Sequence, residues 1–232
     1  MTILVLVRHG QASFGARNYD ELSALGARQS TVLGQHWARL AQTFDAAYSG
    51  DMSRQRATAT HALAAAGLNA LRVEERPAFN EYDFESIMRA YFPVVAREHP
   101  ELAHSPQQLM TDRKLFQAVY EKAIAYWLRE HPHEHHPFES WLAFCARAVT
   151  GLKDIATRER KAVAVFTSGG VIAAALREAL GVDDLNTFRL NWRIYNASVH
   201  VLRMGRDGFS LMGFNNVSHL EMAGDPALLT FR

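Results

Sequence analysis

The chain opens on Ile3-Leu4-Val5-Leu6-Val7, an unbroken aliphatic run of the kind a strand needs when a parallel sheet buries it on both faces. Such a strand belongs at the centre of a sheet. Past Ser23 the period changes: Val32, Leu33, Trp37 and Leu40 fall on one helical face, and Ser23 stands where an N-cap is wanted. The two periods then alternate. Ala46 to Ser49 reads as a short strand, Met52 to Ala66 as an Ala-rich helix, and Leu71 to Glu74 as extended again. Ala162 to Thr167 is a second buried strand, followed by a helix from Val171 to Leu180 that Gly181 stops. Later, Ala197, Val199 and Val201 alternate with polar residues, and Gly205-Arg206-Asp207-Gly208 is a turn before Phe209 to Phe214. That pattern predicts a hairpin at the sheet edge.

Between Glu81 and Trp141 the rhythm differs, because Phe116, Val119, Tyr120, Ala123 and Trp127 repeat at helical spacing with no strand pattern between them. This predicts a helical insertion over approximately 84–140, forming a cap over one end of the sheet. Pro and His residues punctuate it at Glu98 to Pro106 and at His131 to Pro137. The whole chain therefore reads as one α/β domain, residues 1–232. Its architecture is a three-layer α/β/α sandwich with a mainly parallel central sheet, an antiparallel edge and a helical insertion.

Composition narrows the function. With 48% hydrophobic and 21% charged residues, the chain has the balance of a globular protein with a full core, which excludes disorder and fibrous architectures. The 25 Lys and Arg residues are dispersed and the net charge is +1, so no footprint for nucleic acid or an anionic membrane stands out. No stretch nears the ~20 apolar residues of a membrane span, and the short opening run lacks the flanks of a signal peptide. A cytoplasmic protein acting on a small ligand is expected. The lone Cys145 rules out an internal disulfide framework and reads as a small buried hydrophobe. Nothing in the residue pattern reports an oligomeric state.

The chemistry concentrates at strand ends. Arg8-His9-Gly10-Gln11 follows the first buried strand directly, and open α/β sheets bind ligands just beyond the carboxyl ends of their strands. Phosphoryl transfer needs a nucleophile, cations for the charge on three oxygens, and an acid for the leaving oxygen. His9 can supply the first and Arg8 part of the second, while Gly10 lets the backbone approach closely. After the second strand, Ser49-Gly50-Asp51-Met52-Ser53-Arg54 leads into a helix, so Arg54 falls in its first turn, beside unpaired backbone N–H groups. An arginine there can hold two phosphate oxygens at once. After the third strand, Glu81 and Asp83 lie among Phe79, Tyr82 and Phe84, and Glu81 is the better candidate for the proton donor.

The order and spacing of these residues resemble the histidine phosphatase superfamily of phosphoglycerate mutase-like proteins, from Val5 to Leu220. The superfamily's Arg-His-Gly signature is matched by Arg8-His9-Gly10, its helix-opening phosphate-binding arginine by Arg54, and its catalytic acid by Glu81. Leu22-Ser23 to Gly26 and Gln29 is similar to its first helix, and Asn216 to His219-Leu220 to its common tail. The resemblance implies a small phosphorylated substrate and transient phosphorylation of His9, relieved by water, with no metal or organic cofactor. It also implies that Arg8, Arg54, Gln11, Ser168 and Gly169 bind phosphate, with His9 and Glu81 catalytic.

Two departures stand out. Where the superfamily typically carries Ser-His-Gly-Gly after a late strand, this chain has Thr167-Ser168-Gly169-Gly170. Ser168 can still donate one hydrogen bond, and the Gly169 and Gly170 N–H groups can still cradle a phosphate, but a serine carries no charge. By analogy with the loss of one preorganised donor, the penalty is about 10² to 10³ in rate. The second departure is Glu85, where the superfamily often has glycine. Three readings follow: a phosphomonoesterase, a mutase acting on phosphoglycerate, or a catalytically weak phosphoester-binding pseudoenzyme. A serine-hydrolase elbow at Ser168 is disfavoured because Phe166 stands where that motif needs glycine. The His131, His133, His135 and His136 tract, flanked by Pro132 and Pro137, reads as a solvated loop rather than a metal site.

Overall fold

A computed structural model describes residues 1–13, 20–103, 108, 112–129, 137–159 and 161–231. Six strands form one sheet: β1 (Thr2–Arg8), β2 (Ala46–Ser49), β3 (Val73–Glu75), β4 (Lys161–Thr167), β5 (Val199–Gly205) and β6 (Gly208–Asn216). Their order is β3-β2-β4-β1-β5-β6. β1 runs parallel to β4, β4 to β2 and β2 to β3, whereas β5 is antiparallel to β1 and pairs with β6 as a hairpin. This is the mainly parallel α/β sheet with an antiparallel edge that the alternation of periods predicts.

The sheet has two buried faces, which is why β1 and β4 read as continuous apolar runs. On one face Val5, Val7, Ala47, Ala164 and Phe166 form a core cluster with Leu33 and Trp37 of α1 (Ala24–Arg39) and with Ala59, Ala62 and Leu63 of α2 (Ser53–Ala65). Alternation along the strands sends Leu4, Leu6, Val163 and Val165 to the other face, where all four are buried. There α6 (Gly169–Leu180) packs on β1 and β6. Each aliphatic side chain so enclosed contributes about 1.5–3 kcal/mol relative to exposure.

Local signals set the helix ends. Ser23 caps α1 by accepting the Gly26 N–H at 3.0 Å, and Gly181 closes α6 in the left-handed region at φ 65°. The structure moves several boundaries by one or two residues, and two of the displaced starts have a plain cause. β3 begins at Val73, not Leu71, because the Leu71 N–H turns back to the Leu68 carbonyl. The helix after β4 begins at Gly169, not Val171, since the Ile172 N–H already reaches the Ser168 carbonyl.

Register decides what meets at the sheet's carboxyl edge. Arg8 lies opposite Thr167, and Ser49 lies opposite Phe166, so the residues that follow β1, β2 and β4 emerge side by side. His9, Gly50 and Ser168 are those residues. α2 and α6 begin from the same edge.

The chain divides into two compact units, Met1–Glu81 with Arg147–Arg232, and Tyr82–Ala146. The first holds the sheet. The second contains α3 (Phe84–Glu98), α4 (Arg113–Arg129) and the start of α5 (Trp141–Arg158). Its core is aromatic: Tyr82 packs on Trp127 and Phe144, and Trp127 packs edge-on against Trp141. The stripe read from sequence is seated in that core, with Val119, Tyr120, Ala123 and Trp127 all buried. His131, His133, His135 and His136 lie outside the described residues. Among the described residues, no helix is long and apolar enough to cross a membrane.

Candidate active site

His9 stands one residue beyond β1, held by its backbone: its N–H donates to the Thr167 carbonyl at 2.9 Å, and its own carbonyl accepts from Ala197 and from the Asn196 amide. The side chain is buried. Its Nδ1 lies 2.7 Å from the Gly10 carbonyl oxygen. A carbonyl only accepts, so Nδ1 carries the ring hydrogen and the lone pair resides on Nε2. Consistent with that tautomer, the Arg54 Nε–H donates to His9 Nε2 at 3.2 Å. Burial, then the charges of Arg54 and Arg8, hold the imidazole well below its ordinary pKa of 6.5, with the Gly10 carbonyl opposing them. The ring is therefore neutral at physiological pH, with an available nitrogen.

Arg54 is the second residue of α2 and is buried. Met52, at the N-cap, offers no capping side chain, and Asp20 takes over that task from a distant part of the chain. One Asp20 oxygen accepts the Ser53 N–H at 2.8 Å, and the other accepts from Arg54 Nη1 at 2.7 Å. A carboxylate at a helix N-terminus is favoured by the dipole, and here it also fixes the guanidinium whose Nε faces His9. A second link runs through Thr58, whose hydroxyl donates to the Arg54 carbonyl at 2.8 Å and accepts the Gly10 N–H at 3.0 Å.

Two glycines let the loop after β1 lie directly on α1. A Cβ on Gly10 would sit 2.3 Å from the Gly26 carbonyl oxygen, and one on Gly26 would sit 2.1 Å from that of Gln11. Gln11 anchors the same junction: its N–H donates to Gln29 Oε1 at 2.8 Å, and its Oε1 accepts the Ser23 hydroxyl at 3.0 Å. Arg8 reaches the Ile194 carbonyl through Nη1.

The end of β4 completes the arrangement. Ser168 is fully buried and occupies the N-cap of α6, but its hydroxyl accepts from Gln55 Nε2 at 2.8 Å instead of capping the helix. A Cβ on Gly169 would sit 2.3 Å from Asn191 Oδ1, with Arg8 Nε at 3.8 Å, so Gly169 lies beside the Arg8 guanidinium. Glu81 Oε2 accepts the Gly170 N–H at 3.1 Å. Sequence alone offers Gly170 N–H as a phosphate donor; the structure gives it to Glu81.

His9, Arg54 and, through Gly169 and Glu81, the end of β4 are thus brought to one edge. Asp20, Gln55, Thr58 and Asn191 escape sequence reading. The only signal for them is placement: Gln55 and Thr58 flank Arg54 on its helix, while Asp20 and Asn191 carry no local pattern. A neutral ring nitrogen beside a fixed guanidinium at the carboxyl edge of an α/β sheet is an arrangement able to receive an anion.

Residues 4–125 and 101–217 match the model of the histidine phosphatase superfamily (branch 1), and the chain belongs to that superfamily. A stretch of 87 residues is 36% identical to the 2,3-bisphosphoglycerate-dependent phosphoglycerate mutase of Chelativorans sp. (strain BNC1), covering 35% of this chain and 42% of that protein. The match spans less than half of that relative's length. Solved structures agree in fold over almost the whole chain. Phosphoglycerate mutase from Bacillus anthracis superposes with a TM-score of 0.63 at 19% identity, covering 97% of both chains. Bacillus stearothermophilus YhfR gives 0.68 at 18% identity, covering 95% of this chain and 100% of that one. Mycobacterial glucosyl-3-phosphoglycerate phosphatase with VO3 gives 0.64 at 21% identity, covering 92% and 98%. Phosphoryl transfer is the chemistry that membership supports.

Proposed function

We propose that this protein is a phosphomonoesterase working through a phosphohistidine on His9. The observation that carries the reading is the His9 Nε2 lone pair, kept unprotonated and 3.2 Å from the Arg54 Nε–H. A phosphate oxygen accepting from Arg54 would hold the phosphorus within attacking distance of that nitrogen. In the first step the Nε2–P bond forms as the ester P–O bond breaks, and Glu81 gives a proton to the departing oxygen. In the second, Glu81 takes a proton from water, the water oxygen attacks phosphorus, and the N–P bond breaks to release inorganic phosphate. Arg8 and Arg54 spread the charge on the equatorial oxygens, and Ser168, Gly169 and Gln11 supply neutral contacts. Ser168, in place of the histidine usual in the superfamily, limits the rate through its lack of charge.

The 36% identity to a phosphoglycerate mutase favours a second reading, an isomerase in which the phosphoryl group returns to the substrate. Ser168 motivates a third, a phosphoester binder with little turnover. One set of assays separates them. An aryl phosphate should release phosphate with wild type and none with His9→Ala; equal rates would remove His9 as the nucleophile. Sustained interconversion of 3- and 2-phosphoglycerate without net phosphate release would favour the mutase. Tight binding of inorganic phosphate without turnover, converted to turnover by Ser168→His, would favour the binder.

A further inference from the structure

Four groups behind the candidate site form a hydrogen-bond chain that leaves one hydroxyl hydrogen unused. The Phe79 carbonyl accepts from the Thr167 hydroxyl at 2.7 Å and from Gln55 Nε2 at 2.9 Å. A carbonyl has two lone pairs, so Phe79 is saturated. The orientation of the Gln55 amide is also settled, because only its nitrogen can face that carbonyl. Its second hydrogen goes to Ser168 Oγ at 2.8 Å. Ser168 is thereby made an acceptor toward Gln55, and its own O–H must donate in another direction. Among the described residues it meets no acceptor, although Ser168 is fully buried. A buried hydroxyl hydrogen without a partner is costly unless a ligand supplies one.

The neighbours of Ser168 say what that ligand is. Register continues His9 alongside Ser168, Gly169 adjoins the Arg8 guanidinium, and Gln55 follows Arg54 in the chain. Glu81 Oε2 is turned to the Gly170 N–H and Asn191 Oδ1 lies beside Gly169, so with the guanidiniums of Arg8 and Arg54 close by, an anion's oxygen is the acceptor this hydroxyl lacks.

We infer that Gln55 is a positioning residue: it fixes the Ser168 hydroxyl as a donor to a phosphoryl oxygen. The inference rests on the phosphoryl-transfer reading and gives a chemical role to a buried amide that no motif marks. It also accounts for how a serine serves where a bulkier, chargeable side chain is usual. Left alone, a serine rotor divides its time among three staggered positions, whereas the amide of Gln55 excludes those that point the hydrogen toward itself.

The test is a double-mutant cycle with Ser168→Ala and Gln55→Met, which keeps the side chain's length and removes its donors. Phosphate release from an aryl phosphate gives kcat and KM, and inorganic phosphate affinity is read by calorimetry. Ser168→Ala should lower kcat by about 10²-fold, the low end for one lost donor. Gln55→Met should lower kcat by about tenfold and change KM little, with the double variant no worse than Ser168→Ala, because Gln55 acts only through that hydroxyl. Effects that multiply, or a Ser168→Ala variant with wild-type kcat and phosphate affinity, would overturn the inference. Should Gln55→Met fail to fold, Gln55→Asn shortens the amide away from Ser168, and wild-type kcat in that variant would overturn it equally. If wild type proves not to turn over, the phosphomonoesterase reading fails on its own. The inference is then judged by phosphate affinity, which both single variants must weaken non-additively.

Discussion

Acid should unfold this protein earlier than its carboxylates would dictate, because three histidines are buried without charge. Burial, assisted by Arg8, lowers His200 to a pKa of about 3, and burial, assisted by His36, lowers His219 to about 4. In the unfolded chain both titrate near 6.5. The sign follows from linkage: below pH 6.5 the unfolded state takes up protons that the folded state refuses, so stability falls as pH falls. At about 1.4 kcal/mol per pH unit, the one and a half units from 6.5 to 5 remove about 2 kcal/mol for each histidine, or about 4 kcal/mol for the pair. His9 is shifted the same way by burial and by Arg54 and Arg8, and adds to the loss. The lowered carboxylates Glu98, Asp183 and Asp225 act in the same direction, but only as pH drops below about 4.5, so the interval from 7 to 5 isolates the imidazoles. Urea unfolding at constant ionic strength, followed by tryptophan fluorescence at pH 7, 6 and 5, measures it. A loss of at least about 4 kcal/mol is a large part of the 5–15 kcal/mol typical of a domain. His200→Asn keeps an acceptor for the Asn215 N–H that now bonds Nδ1, and should flatten the pH dependence by about 2 kcal/mol. Stability that is constant from pH 7 to 5, or unaltered pH dependence in His200→Asn and His219→Asn, would refute the reasoning.

Three other outcomes are expected. Arg54→Gln removes a charge 3.2 Å from His9 Nε2, so the His9 pKa should rise, the acid limb of kcat/KM should move to higher pH, and histidine NMR should report the same shift; a stationary limb would contradict it. Asp20→Asn loosens Arg54 and weakens a helix start. It should cost about 1–2 kcal/mol in unfolding free energy after allowance for the partly exposed carboxylate, and about tenfold in kcat, with thermal melts and steady-state kinetics unchanged if the contact is ornamental. Gly26→Ala drives a methyl to 2.1 Å from the Gln11 carbonyl oxygen, and chemical denaturation should show a loss of about 1–3 kcal/mol, whereas a silent substitution would show that the loop does not sit on α1.

The parts of the molecule readable from sequence are those where one residue's neighbours in the chain decide its surroundings. β1 and β4 announce themselves because burial on both faces leaves no place for polar residues, and the α1 cap because Ser23 bonds only three residues ahead. Arg8, His9 and Arg54 are readable because strand ends and helix starts are themselves local features. Asp20 is different. It reaches Ser53 and Arg54 across 33 and 34 positions of chain, and an acidic residue in a loop has no period to betray it. Gln55 reads as one more polar residue on an Ala-rich helix, although the fold buries it completely. The bond from the Gly170 N–H to Glu81 is illegible for the same reason, since the two lie 89 positions apart.

Histidine shows the limit most clearly, and also what sets the proposed nucleophile apart from a hairpin histidine. His9, His200 and His219 are all buried and all lowered in pKa, so neither burial nor basicity distinguishes them. Between His9 and His200 the difference lies in where the lone pair is directed. In His200 it faces inward: Nδ1 accepts the Asn215 N–H while Nε2 meets the Ser198 hydroxyl, so both nitrogens are consumed by the hairpin and its approach. In His9 the Gly10 carbonyl claims only the hydrogen on Nδ1, and the nitrogen left with a lone pair faces a guanidinium. An arginine is a weak rival for that lone pair once a phosphate arrives, because a dianion offers the guanidinium stronger and bidentate hydrogen bonds. Substrate binding would then draw the Arg54 hydrogen bond away from Nε2 and leave the nitrogen facing phosphorus. On the proposed reading, the contact that occupies His9 Nε2 at rest is the one a phosphate is best equipped to displace.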